Sequence, residues 1–255
     1  MNNVNKTLYI PLYGKSLVSR KGIILKDTKA EEIWDAEGFS LKGKSASKWL
    51  AYYMGMRSAV FDRWAVERMA ADPKAVVLHI GCGMDSRVYR VGDRENLWFD
   101  VDFPDVIGQR RRYYEETETY RMVCGDFRDA SWLEEIPKGN AIVLLEGISM
   151  YLRPEELKQA IENLQIHFGR VEILMDCYTE FAAKASKYKN PINDVGVTEV
   201  YGMDDPNCLP GFLREHEMTP ADLIDQLQGM EKWIFKSLYA GKIADKMYRL
   251  YEYKG

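Results

Sequence analysis

The residues able to do chemistry in this chain stand just after short apolar runs. Ala75-Val76-Val77-Leu78-His79-Ile80 leads into Gly81-Cys82-Gly83, and glycines at such a point let backbone approach a ligand where a Cβ would collide. Taken alone, this GxG equally suits a tight structural turn. A second run ends in Asp100-Val101-Asp102, and Asp102 follows Gly83 by nineteen residues. That is near the spacing at which a carboxylate accepts hydrogen bonds from both hydroxyls of a ribose; the rival is a surface Asp opening the next helix. A third run ends in Cys124-Gly125-Asp126-Phe127. Asp126 is suited to accept from an exocyclic adenine amine with Phe127 against the ring, unless the pair forms a plain acidic turn. The fourth run, Ile142-Val143-Leu144-Leu145, delivers Glu146 directly, and a carboxylate behind so apolar a strand needs a cationic or donor partner.

Other polar groups compete for roles. Tyr151 follows Glu146 on the same loop, placed either to donate to an oxygen nucleophile or to pack beneath the next helix. His79 sits inside the first run and reads as a hydrogen-bonded core histidine. His167 ends a helix, where pairing with the last carbonyls is expected. His216, between Glu215 and Glu217, is the candidate general base, with a solvated turn as its alternative. The arginine-rich residues 109–112 are expected on a solvated helix face. Cys82, Cys124, Cys177 and Cys208 lack CxxC spacing, so reduced, mostly buried thiols are expected, with no metal site and no disulfide framework.

These residues need elements to position them. The runs at residues 75–80, 97–101, 120–124, 141–145 and 171–176 read as buried strands. Helical patterns alternate with them, notably residues 104–116 and 154–168, each opened by a proline suited to a first helical turn. Such alternation predicts a doubly wound, mostly parallel α/β sheet. Two final strands, expected at residues 233–239 and 247–253 after a helix opening near Ala221, bring the sheet to seven. Ahead of it, residues 1–72 read as a helical cap, with Asp27 as an N-cap and a long helix over residues 45–71. The cofactor-binding core spans 73–180, and the loosely patterned residues 186–215 have the composition of an inserted lid. No boundary interrupts residues 1–255, so one domain is expected.

Composition narrows the class. Of 255 residues, 46% are hydrophobic and 29% charged, which suits a globular core. A net charge of -4 without a basic block argues against nucleic acid as partner. No segment approaches the roughly 20 apolar residues that cross a bilayer, so a cytoplasmic protein without a membrane partner is expected.

Gly81-Cys82-Gly83-Met84-Asp85-Ser86-Arg87, Trp98-Phe99-Asp100-Val101-Asp102-Phe103-Pro104 and Glu146-Gly147-Ile148-Ser149-Met150-Tyr151-Leu152 together resemble the leucine carboxyl methyltransferase family. The likeness is nearer to its bacterial branch of polyketide O-methyltransferases of the tetracenomycin type. Thr7-Leu8-Tyr9-Ile10-Pro11-Leu12-Tyr13-Gly14, Arg57 and Asp62 resemble that branch too. The resemblance spans about residues 7–180. It implies a class I, Rossmann-like fold with S-adenosylmethionine in the strand crevice and a small-molecule acceptor methylated on a carboxylate or hydroxyl oxygen. It also implies roles: Gly81, Cys82 and Gly83 at the methionine portion, Asp102 at the ribose, Asp126 and Phe127 around the adenine, Glu146 at the amino group, and Arg57 at the carboxylate. A salt bridge along its own helix, to Asp62 or a neighbour, is the alternative for Arg57. Met84 and Ser86 depart mildly from the family's usual Leu and Thr. A nicotinamide-dependent oxidoreductase is the enzymatic alternative, although Ser86 occupies the third glycine position of GxGxxG. A binding protein without catalysis is the other.

Overall fold

The computed structural model describes residues 8–92, 95–189 and 199–255. Among these residues seven strands form one sheet: β1 (Val76–Ile80), β2 (Trp98–Asp102), β3 (Tyr120–Cys124), β4 (Asn140–Leu145), β5 (Arg170–Tyr178), β6 (Phe212–His216) and β7 (Tyr248–Lys254). Their order is β3-β2-β1-β4-β5-β7-β6. β1 to β5 are parallel, and β7 runs antiparallel to both neighbours. All five residues of β1 are buried, as a strand covered on both faces requires. The chain therefore reverses its direction of travel beside β1, and the crevice at the strand ends there is where open α/β sheets bind ligands.

Helices cover both faces. On one lie α1 (Tyr9–Arg20), α2 (Thr28–Glu37) and α3 (Lys48–Ala71), joined to the sheet by a core that includes Leu12, Tyr52, Phe61, Trp64, Val77 and Leu144. Asp27 caps α2 as expected, its carboxylate accepting from Ala30 N at 2.9 Å. After β1 comes the short α4 (Arg87–Arg90), then α5 (Pro104–Arg110) and α6 (Pro154–His167). Both prolines stand in the first turn. On the other face Leu78, Val143, Leu157, Ile161 and Leu164 form a second core. The C-terminal part adds α7 (Glu180–Lys189), α8 (Ala221–Ile224), α9 (Gly229–Leu238) and α10 (Lys242–Asp245).

Several expectations change. Of residues 233–239, expected as a strand, 233–238 belong to α9 and Tyr239 is its C-cap; a short Trp-Ile-Phe run has no periodicity that separates strand from helix. The missing strand is β6, whose Leu213, Arg214 and Glu215 are exposed, the charged composition of a protected sheet edge. It occupies the end of the expected lid at 186–215, and residues 190–198 of that lid lie outside the described residues. Helix α5 stops at Arg110 rather than residue 116. Arg110 is fully buried rather than solvated. His167 bonds Ile136 O at 3.0 Å instead of its own helix, and Cys124 and Cys208 are exposed while Cys82 and Cys177 are buried.

Candidate active site

A cavity of about 850 Å³ opens at the carboxyl ends of β1, β2 and β4. Nine of the residues expected at the site line it: Arg57, Gly81, Cys82, Gly83, Asp102, Asp126, Phe127, Glu146 and Tyr151. At its base, Asp102 ends β2 and accepts from Gly83 N at 2.8 Å and Phe103 N at 2.7 Å. These bonds fix the carboxylate while leaving lone pairs for a ligand. Burial raises its carboxyl above the ordinary value, against the lowering effect of those two donors. The turn that supplies Gly83 depends on Gly81, at φ +65°, where a Cβ would stand 2.1 Å from Ile148 Cγ2. Its glycine is thus imposed by the packing of the β4 loop as well as by the backbone angle.

Asp126 follows β3. Arg128 Nε donates to both its oxygens, at 2.9 and 3.1 Å, and holds the carboxyl below its ordinary value. Phe127 beside it is buried against the second core, so the wall there is apolar with one acidic edge.

Glu146 finds its cationic partners within the protein. It accepts from Arg57 Nε at 3.0 Å and Ser58 Oγ at 2.9 Å, and Arg87 Nη2 donates to its other oxygen. Burial alone would raise this carboxyl; Arg87 and Arg57 overcome that and hold it at about 2. Arg57 bridges two strands, its Nη1 donating to Asp176 at 2.9 Å, while Asp176 also accepts from Gly147 N at 2.5 Å. The alternative pairing of Arg57 along its own helix does not occur: its ion pairs are with Glu146 and Asp176, and Asp62 accepts from Arg87 Nε and Arg90 Nε, each at 2.7 Å. Among the described residues Nη2 of Arg57 makes no hydrogen bond, and it lies 3.2 Å from where a Cβ on Gly147 would stand. Gly147, at φ +74°, leaves that end of the guanidinium room to face the cavity.

Two contributors had no motif. Lys15 of α1 is buried against Asp85 at 3.0 Å and lines the cavity; burial lowers its ammonium, with Asp85 opposing. Nothing in its local sequence marks it. Asp176 stands near the end of β5, and the rule that picked out Glu146 after β4 would have found it. His79 is a core histidine as expected. Arg87 Nη1 can only donate, so His79 Nε2 accepts it at 3.1 Å and Nδ1 carries its proton to Asp100, also at 3.1 Å. His216 is not in the cavity at all: it bonds Glu252 at 2.6 Å on the β6–β7 edge, which withdraws it as candidate base.

The far side of the cavity is apolar and aromatic, with Trp49, Leu50, Tyr53, Tyr178, Tyr239 and Tyr248 among its walls. Tyr151 stands between the two ends, in a short helical turn (Ser149–Tyr151) directly after the Glu146 loop. It packs against Ile10, Met150, Tyr178 and Ala182.

A sheet of this order, parallel over β1 to β5 with β7 reversed, and an acidic residue at the end of each of β2, β3 and β4 facing one crevice match the class I methyltransferase fold. The family profile of leucine carboxyl methyltransferases matches residues 3–165, and the chain belongs to that family. It is similar to TcmP, a tetracenomycin polyketide synthesis O-methyltransferase of Streptomyces glaucescens. The two are 29% identical over 244 residues, 92% of this chain and 90% of the relative. An S-adenosyl-L-methionine-dependent methyltransferase of Gibberella zeae, dpfgK, is 29% identical over 182 residues, 65% of this chain and 61% of that protein. Among solved structures, a DUF574 family protein of Streptomyces avermitilis aligns with TM-score 0.57 at 14% identity, covering 88% of this chain and 90% of that one. Magnesium protoporphyrin IX methyltransferase of Synechocystis, with bound S-adenosylhomocysteine, aligns with TM-score 0.51 at 13% identity, covering 94% and 98%. Those two likenesses are of fold alone.

The chain is an S-adenosylmethionine-dependent methyltransferase, and the oxidoreductase and binding-protein alternatives fall away. The donor set fits that cofactor. Asp102 has acceptor capacity for vicinal hydroxyls, Phe127 offers an aromatic wall beside an acidic edge, and Arg57 keeps one nitrogen of a fork shaped for carboxylate.

Proposed function

We propose that this enzyme methylates an oxygen of a small-molecule acceptor, with an ionised carboxylate favoured over a neutral hydroxyl. The observation that carries the reading is the commitment of the cavity's histidine. His79 has one nitrogen donating to Asp100 and the other accepting from Arg87, so neither is available as a general base. A carboxylate needs no base, whereas a phenol gains from one. The relationship to TcmP, named as an O-methyltransferase, supports oxygen as the acceptor atom.

Bound S-adenosylmethionine supplies a methyl group on a sulfonium, an electrophile that needs no covalent enzyme intermediate. The chain's own residues bind and orient. Asp102 takes the ribose hydroxyls, Asp126 and Phe127 the adenine, and the loop Gly81-Cys82-Gly83 the methionine portion. Arg57 offers Nη2 to the cofactor's carboxylate. Glu146, expected at the amino group, has its charge compensated by Arg57 and Arg87 and fixes the angle of the Arg57 fork. Tyr151 donates to the acceptor's oxygen from the boundary between the two ends, and the apolar walls exclude water from the reacting atoms.

The test is methyl transfer to matched aromatic carboxylic acids and phenols across a pH series. Carboxylate turnover that stays level above the acid's own pKa is the expected result. Turnover confined to amines or thiols would overturn the reading.

A further inference from the structure

Five of the most exposed large apolar side chains fall within residues 230–247: Met230 at 76%, Trp233 at 69%, Leu238 at 57%, Ile243 at 45% and Met247 at 40% exposure. On α9, successive residues turn by about 100°, so Met230, Trp233, half-buried Ile234 and Leu238 share one arc of roughly 140°, interrupted only by Ser237. Phe235, on the opposite side, is fully buried. This helix thus turns an apolar arc to solvent, the reverse of an ordinary surface helix, and a contiguous exposed patch of that kind marks an interaction site. Leu238, Ile243 and Met247 also line the cavity. Being exposed at the same time, they stand at its mouth.

Cations accompany the patch. Lys236, Lys242, Lys246 and Arg249 occur in this stretch against Glu231 and Asp245, within a chain of net charge -4, while Lys232 lies on the far side of α9 and pairs with Asp225 at 2.9 Å. Glu231 is occupied by Lys48 at 2.7 Å and Tyr52 at 2.6 Å, and Lys236, Lys242 and Lys246 are exposed. A second copy of the chain is a poor occupant, because a two-fold interface sets a patch against itself and would oppose these lysines. An apolar arc carrying Trp and flanked by lysines is suited to the boundary between lipid headgroups and acyl chains.

We propose that this face docks on an anionic lipid surface, which opens the mouth of the cavity towards the lipid. The expectation of no membrane partner rested on the lack of a spanning segment. Among the described residues no helix is long and apolar enough to cross a membrane, and surface docking requires none. It stands apart from the identity of the acceptor.

Co-sedimentation of the full chain with phosphatidylcholine vesicles, with and without phosphatidylglycerol, tests this. The protein partitions onto the phosphatidylglycerol vesicles, less so as salt rises. Lys236→Glu and Lys242→Glu each reduce partition by at least roughly fivefold, and Trp233→Ser by about tenfold. None of the three alters S-adenosylhomocysteine affinity, which separates lost docking from lost folding. Failure to bind phosphatidylglycerol vesicles, or binding indifferent to these substitutions, overturns the proposal. So does a dimer, seen by sedimentation equilibrium without vesicles, that Trp233→Ser dissolves.

Discussion

The two ends of the cavity are built by different rules. At the cofactor end, short strand termini present carboxylates, each held by a backbone N–H or a guanidinium: Asp102 by Gly83 and Phe103, Asp126 by Arg128, Glu146 by Arg57 and Arg87. At the acceptor end, walls from α1, α3, α7, α9 and α10 meet around aromatic rings such as Trp49, stacked on Tyr239 at 5.5 Å between centroids. The first end is preorganised by charge, which a single substitution disturbs sharply. The second is shaped by packing, which distributes its tolerance over many residues.

Breaking the charged end should give the largest effects. Arg110 is fully buried and its Nη2 donates to Asp100, beneath the cavity floor. Arg110→Met leaves a buried carboxylate without its guanidinium, and urea unfolding should register a loss of about 3–5 kcal/mol. A stability equal to wild type would show that this end is not organised by charge. Acid should dissect the same network. Asp100 and Glu146 are held at about 2, below their ordinary 3.8 and 4.5. Depressed carboxyls contribute stability that is fully present above the unfolded values and lost as pH falls through the folded ones. The thermal midpoint should therefore drop between roughly pH 4.5 and pH 2, with a shallower slope in Arg110→Met. A flat midpoint across that window would contradict the network.

Smaller effects sharpen the boundary between the ends. Gly81→Ala combines a φ of +65° with the 2.1 Å approach to Ile148 and should destabilise by about 1–3 kcal/mol. Adding Ile148→Ala should recover the steric part, as thermal unfolding of the double variant will report; no recovery would assign the strain to the backbone alone. Tyr151→Phe removes one donor between the ends. It should lower kcat/KM for the acceptor by about tenfold while the affinity for S-adenosylhomocysteine stays put. A matching fall in cofactor affinity would move Tyr151 to the other end.

The sequence made the charged end readable because its chemistry depends on residue type at a strand terminus. Apolar runs locate the strands, and the first polar residue after each run then falls in the crevice. Asp102, Asp126 and Glu146 were found that way, and Asp176 lay open to the same rule. Lys15 was not legible: it reaches the cavity because α1 packs across α3, a tertiary fact with no local trace. The acceptor end was hardly legible either. Its aromatic residues come from α3 (Trp49, Tyr53), β5 (Tyr178), the end of α9 (Tyr239) and β7 (Tyr248), spread along the chain, and each reads as ordinary core. The last elements were misjudged for a related reason. The apolar run at 233–239 looked like a strand, while the true edge strand, Phe212–His216, hid behind charged residues.

The central claim is that Asp102 anchors the cofactor at the charged end. Calorimetric titration of the wild type and of Asp102→Ala with S-adenosylhomocysteine tests it most directly. Two charge-assisted hydrogen bonds are at stake, so affinity should fall by about a hundredfold or more in a protein that still unfolds cooperatively, its midpoint lowered modestly by loss of the bonds from Gly83 N and Phe103 N. Unchanged affinity in a folded Asp102→Ala protein would contradict the account and place the cofactor elsewhere in the cavity.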